Sequence, residues 1–286
     1  MNIQVGKIVI LINVRKFVFS KRETVLIMVK NTIAILDYTD FFVDKIKVHK
    51  NFKQQYITLK NKNCIKYFTK TKVEENEVYA EIIKIGNYIK KDEIEDFIEN
   101  NLLRYELIMI LKECKDNNSL KELIFLNRKL REKNLKVLNI LYGKYEFYKD
   151  IEFIGKIILD LKENKQNLFN ETKNIYNSIL NLTKNNKKLL FNLCNEENIP
   201  ILNLNLEDIK NIGEGVLYIL KSFKDLQYLD VLILTLISRK KISIEDVCYI
   251  KDPLEEYMYY DKKIIIQELV EEDYKENLTI NLIGIK

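Results

Sequence analysis

The sequence is short of the residues that most often carry chemistry or break chain direction: among 286 residues there are 7 Gly, 2 Pro, 1 His and no Trp. The lone histidine, His49, has no Ser, Cys or Asp at a recognisable motif spacing, which leaves a His-dependent triad or base without material. The four cysteines, Cys64, Cys114, Cys194 and Cys248, lie tens of residues apart with no CxxC pair, so neither a zinc site nor a disulfide framework is drawn. They read as thiols of a reducing compartment. Long apolar runs are missing as well. Ile8–Ile12 is a five-residue run, against about 20 residues for a membrane-spanning helix, and it lacks the cleavage site of a signal peptide. The expectation is an intracellular protein, cytoplasmic or nuclear, with no membrane partner. Asn-x-Thr triplets at Asn170, Asn181 and Asn277 then have no consequence.

What is present is the balance of a packed chain: 47% apolar and 31% charged residues. The abundance of Lys, Asn and Ile reports an AT-rich genome. The length suits two unequal domains. Charge divides the chain: residues 1–72 hold 15 Lys and Arg against 4 Asp and Glu, a balance of +11, leaving 32 against 38, or −6, for the remainder.

The basic part predicts strands. Short β-branched or aromatic runs cover 3–14, 24–29, 32–36, 41–48, 56–59, 64–68 and 78–85, separated by polar breaks. Rough alternation of apolar and basic residues suits antiparallel strands with one wet face. Segments such as 31–37 and 55–60 have the look of propeller-blade strands, but one or two such units cannot close a propeller. No family is named by these residues.

From Lys91 the apolar spacing becomes three and four. Ile94, Phe97, Ile98, Leu102, Tyr105, Ile108 and Leu111 form one stripe behind an acidic first turn. Ser119 with Glu122 predicts a capping box, and helices are expected over 119–132, 150–163, 166–184, 206–223, 226–239, 243–251 and 262–274. A last strand over 278–285 is expected, returning to the N-terminal sheet. The fold class read from the sequence is therefore α+β: a small antiparallel β-rich part, 1–89, followed by a larger α-helical bundle or short α-solenoid, 90–286.

Candidate sites follow from charge. Lys45, Lys47, Lys50, Lys53, Lys60, Lys62 and Lys66 are interleaved with aromatics including Tyr56, a pattern suited to single-stranded nucleic acid through phosphate neutralisation and base stacking. A solvated face in a Lys-biased proteome is the competing reading, and 6 Arg against 41 Lys supply little bidentate readout. The stretch 226–250 reads as a structural helical hairpin better than as a DNA-reading one, since Glu245 and Asp246 open its second helix. Gly213-Glu214-Gly215 lacks the third glycine and preceding strand of a dinucleotide fingerprint and reads as a helix irregularity. Tyr257, Tyr259 and Tyr260 could serve an interface or a core. No catalytic residue, metal site or cofactor is assigned.

The function expected is a non-catalytic interaction or scaffold protein, its helical part binding protein partners and its basic sheet contacting nucleic acid. One alternative is a metal-dependent nucleic-acid-processing enzyme using Asp37, Asp40 and Asp44. The other is a purely structural subunit of a larger assembly.

Overall fold

The computed structural model describes residues 14–17, 26–29, 33–38, 52–58, 64–73 and 76–85, and residues 89–159 and 171–286 with interruptions. The strands are β1 Val14–Phe17, β2 Leu26–Val29, β3 Ile33–Asp37, β4 Phe52–Thr58, β5 Cys64–Val73, β6 Asn76–Ile85, β7 Leu107–Glu113, β8 Lys136–Tyr142, β9 Lys156–Leu159, β10 Ile201–Leu206, β11 Val231–Ser238, β12 Lys263–Val270 and β13 Leu278–Ile285. The helices are α1 Lys91–Asn101, α2 Asn117–Glu132, α3 Lys187–Leu193, α4 Ile212–Ser222 and α5 Ile244–Tyr257. A further segment, 171–182, is helical at its described positions.

β3, β7 and β8 are nearly unbroken apolar runs, buried at almost every position. Such runs belong to parallel strands covered on both faces. They form the centre of a seven-stranded sheet ordered β4-β5-β6-β3-β7-β8-β9, parallel from β6 through β9 and antiparallel among β4, β5 and β6. This sheet draws strands from both sides of residue 89. A second sheet is ordered β10-β13-β11-β12, with β11 and β12 parallel and β13 antiparallel to both its neighbours.

The period of two along each strand sorts side chains into layers. Ala34, Leu36, Ile108, Ile110, Val137 and Leu141 pack with Ile94, Phe97 and Ile98 of α1 and Leu123, Leu126 and Leu130 of α2. The alternate residues Ile33, Ile35, Met109, Leu138 and Ile140 share a core with Ile175, Ile179 and Leu182 of the 171–182 segment. Ile233, Ile283 and Ile285 of the second sheet join that same core. The outer face of the second sheet is covered by α4 and α5. The order of layers is helix, sheet, helix, sheet, helix. Each fully buried Ile or Leu on 171–182 contributes about 1.5–3 kcal/mol.

The expected small antiparallel sheet followed by a helical bundle or solenoid is corrected to an α/β architecture with a mainly parallel sheet. The stripe read from Ile94 to Leu111 is α1 followed by β7; 156–159 is a strand; 206–223 divides into the end of β10 and α4; 231–238 and 263–270 are β11 and β12. The strand expected over 278–285 exists, but lies inside the second sheet instead of joining the first. The hairpin read over 226–250 is strand β11 followed by α5. Gly213 and Gly215 both lie in the first turn of α4, where a Cβ on Gly215 would fall 2.9 Å from Leu206.

One cluster of backbone carbonyls joins the layers at the lower edge of β8. The Arg131 guanidinium donates to the carbonyls of Ile154 at 2.9 Å, Val137 at 3.3 Å and Cys194 at 3.4 Å. Gly155, at φ +68, passes so close that a Cβ there would stand 2.5 Å from the Val137 carbonyl oxygen. Replacing Arg131 by Ala is expected to lower unfolding stability by roughly 3 kcal/mol or more, since bonds from a charged donor are lost. Gly155→Ala should cost on the order of 1–3 kcal/mol from backbone strain alone. Urea denaturation of both variants checks this; a midpoint unchanged in either removes its residue from the joint.

Candidate functional site

In an open parallel sheet, ligands are held outside the carboxyl ends of the strands, where the strand order reverses. Here the reversal falls at β3, from which the chain builds β4–β6 on one side and β7–β9 on the other. The carboxyl ends of β3 and β7 open into a cleft of about 710 Å³ lined in part by Tyr38, Ile89, Lys112, Asp116, Ser119 and Glu122.

Its floor is a buried ion pair. Lys112, near the end of β7, and Glu122, in the second turn of α2, are 3% and 7% exposed and bonded to each other. Glu122 accepts a second bond, 3.0 Å, from the Ile89 amide just before α1. Lys112 also lies 4.0 Å from the centroid of the Tyr38 ring, a cation–π contact with the residue that follows β3. The pair therefore ties two strand ends to the starts of two helices.

The mouth is shaped by the turn from β7 into α2. Asp116 is the N-cap: its carboxylate accepts from the Ser119 amide at 2.7 Å, and Ser119 Oγ accepts from the Asp116 amide at 3.2 Å. The expected box of Ser119 and Glu122 is thus displaced by three residues, with Ser119 in the third helical position and Glu122 turned to Lys112. Beside the turn, the Tyr148 hydroxyl accepts from the Cys114 amide at 3.0 Å and donates to the Tyr142 carbonyl, closing the ends of β7 and β8 together. Burial pushes the Cys114 thiol up to about 11, against the pull of Lys112 and Tyr148. Cys194, behind α3, is raised by burial to about 12.

The described residues among the proposed nucleic-acid contacts lie away from the cleft. Lys53 and Tyr56 fall on β4 and Lys66 on β5, at the far edge of the larger sheet, while Lys45, Lys47, Lys50, Lys60 and Lys62, like His49, lie outside the described residues. Asp37 ends β3 and is buried, and Asp40 and Asp44 also lie outside the described residues. Among the described residues, no three His, Cys, Asp or Glu gather where they could hold a metal ion, and no helix is long and apolar enough to cross a membrane. Tyr257 is exposed and Met258 buried. Nothing local in the sequence distinguishes Lys112 from the other lysines. Its one signal is position: a lysine directly after five apolar residues of a buried strand.

No family model and no curated protein matches this chain. Solved structures do resemble it. An FtsZ point mutant from M. jannaschii is 8% identical at TM-score 0.51, covering 68% of this chain and 69% of that one. An empty FtsZ dimer from the same organism is 8% identical at TM-score 0.53, covering 68% of each chain. The architecture is thus an FtsZ-like α/β fold. This likeness overturns the function expected from the sequence, a helical bundle for protein partners beside a nucleic-acid-contacting basic sheet. The metal-dependent nucleic-acid enzyme and the purely structural subunit go with it. Several segments expected in a bundle, 156–159, 231–238 and 263–270, are strands of the two sheets, and the described helices cover those sheets instead of packing as a bundle.

Lys112→Met leaves Glu122 buried without its cation and is expected to cost about 3–5 kcal/mol, while Lys112→Met with Glu122→Met recovers most of that loss. Urea unfolding of single and double variants measures it; equal losses in both would deny the pair its central place. Among the described cysteines, Cys248 is exposed and Cys114 and Cys194 are buried. Their raised values keep Cys114 and Cys194 protonated as thiols at pH 8, so iodoacetamide followed by mass spectrometry should label Cys248 and leave Cys114 and Cys194 unlabelled in the native protein.

Proposed function

We propose that this chain is a self-associating protein of the FtsZ-like fold whose assembly state answers to a ligand of the nucleoside or nucleotide class held in the cleft at the ends of β3 and β7. The observation carrying this reading is the cleft's place at the switch point of the larger sheet. Its volume, about 710 Å³, falls in the range of small-molecule sites, and apolar Ile89 and the Tyr38 ring stand beside the few convergent polar groups such sites use. Self-association is supported by the dimer recorded for one FtsZ structure of similar fold. It is supported too by exposed Leu217, Tyr218, Ile244 and Tyr249 on α4 and α5, apolar surface of the kind association covers. Free thiols suit a reducing, intracellular setting.

Sedimentation velocity over a concentration series, with and without adenosine, guanosine and their phosphates, tests this. Oligomers that grow with concentration and shift with at least one ligand are expected. Asn118→Trp, which intrudes on the cleft from an exposed position, should abolish the ligand response and leave the fold intact. A monomer at every concentration and with every ligand would sink the proposal.

A further inference from the structure

We infer that the chain associates with a second copy of itself through β12: the two β12 edges pair antiparallel about a two-fold axis at Gln267 and join the second sheets of both copies into one. The inference rests on the reading of the chain as self-associating, and it names the surface and the symmetry.

β12 ends the second sheet, and among the described residues it pairs with β11 alone. The Lys263 amide donates to the Asp230 carbonyl at 3.1 Å, which turns the backbone groups of the odd-numbered residues toward β11. Those of Ile264, Ile266, Glu268 and Val270 point the other way, where no described strand meets them. An edge that is to stay unpaired is guarded by proline, a bulge or inward charges. β12 has no proline and runs without a bulge beside β11, and its one acid, Glu268, already accepts from the Ile242 amide at 2.6 Å.

The side chains select the partner and the register. Antiparallel partners match outward-pointing backbone with outward-pointing backbone, so even residues of one copy face even residues of the other. An axis at Glu268 would oppose two carboxylates, and an axis at Ile266 would set Gln267 against Ile265. An axis at Gln267 sets Ile265 against Leu269, and Ile264 against Val270, which is 49% exposed in the single chain. The two Gln267 amides then meet, each able to donate to the other's Oε1, an atom that is buried and has no hydrogen-bond partner among the described residues. Charge agrees with this register. Lys262 and Lys263 lead into the strand, while Glu271 and Glu272 follow it in sequence, so antiparallel copies bring a basic start beside an acidic end. Parallel copies would set like charges together. β10, the other edge of the sheet, carries no charged residue to meet either end.

Two measurements on the full chain test this. Sedimentation velocity over a concentration series, with and without adenosine, guanosine and their phosphates, compares the unaltered protein with Val270→Lys, which places a cation against the partner's Ile264 and near its Lys262 and Lys263. Oxidation by diamide, with the linked peptides identified by mass spectrometry, compares Gln267→Cys with Ile265→Cys, each carrying Cys248→Ser. Opposed positions 267 stand about 4.5 Å apart between Cα atoms, within reach of a disulfide, whereas the two positions 265 lie roughly 13 Å apart along the paired strands. The expected result is association weakened roughly tenfold in Val270→Lys, together with a covalent dimer linked at position 267 and none linked at 265. Association undiminished in Val270→Lys overturns the inference and leaves self-association standing. So does a failure to link at 267, a readout that does not depend on how Val270→Lys folds, and so does equal linkage at 265 and 267. A monomer at every concentration and with every ligand removes the self-association reading and this inference together.

Discussion

The 171–182 segment lies with one sheet on each side, and its apolar residues Ile175, Ile179 and Leu182 belong to the core that both sheets share. A parallel sheet has to be covered on both faces, and α1 and α2 cover only one. The second face needs an apolar partner, and the segment supplies it while offering its far side to β10, β11 and β13. The rest of the architecture follows from that shared core. The second sheet is in turn left with an outer face, which α4 and α5 close.

Polar contacts along this segment fix its register where apolar contacts alone would allow sliding. Thr172 bonds Tyr142 at the end of β8 at 2.9 Å, Asn174 bonds Asn203 on β10 at 3.1 Å, and Ser178 reaches Asn281 on β13 at 3.4 Å. Asn203, Asn281, Thr235 and Gln267 stand in one row across the second sheet, paired in register from β10 to β12. A buried polar group left without a partner costs free energy, so the bonds made by Asn203 and Asn281 admit few alternative positions of the helix above them. The same logic acts at the cleft, where Glu122 joins β7, α1 and α2 through one carboxylate. The cleft is thus shaped by the chain's internal charges.

Local signals were legible where they involve neighbours in sequence. The acidic turn at Asp92 and Glu93 opens α1, Ser243 caps α5 through the Asp246 amide, and the alternating run 278–285 is a strand. The apolar runs at 107–111, 231–237 and 264–266, expected as helices, are strands. A continuous apolar run carries neither the period of a helix nor that of a half-exposed strand, and only its neighbours decide which it becomes. The displaced capping box shows the same limit at smaller scale: Ser119 and Glu122 have capping spacing, but Glu122 gains more by pairing with Lys112 inside the protein.

The sequence by itself determined that this chain packs a large apolar interior, keeps its cysteines apart, and starts particular helices at particular residues, because those properties depend on composition and on contacts a few residues apart. Tertiary structure alone decided that the apolar runs are parallel strands, that two sheets share one helix, and that Lys112 and Glu122 meet at the strand ends. Strand pairing and buried charge pairing are contacts between distant residues. Their free energy exists only once both partners are enclosed and water has been removed, which no local pattern records.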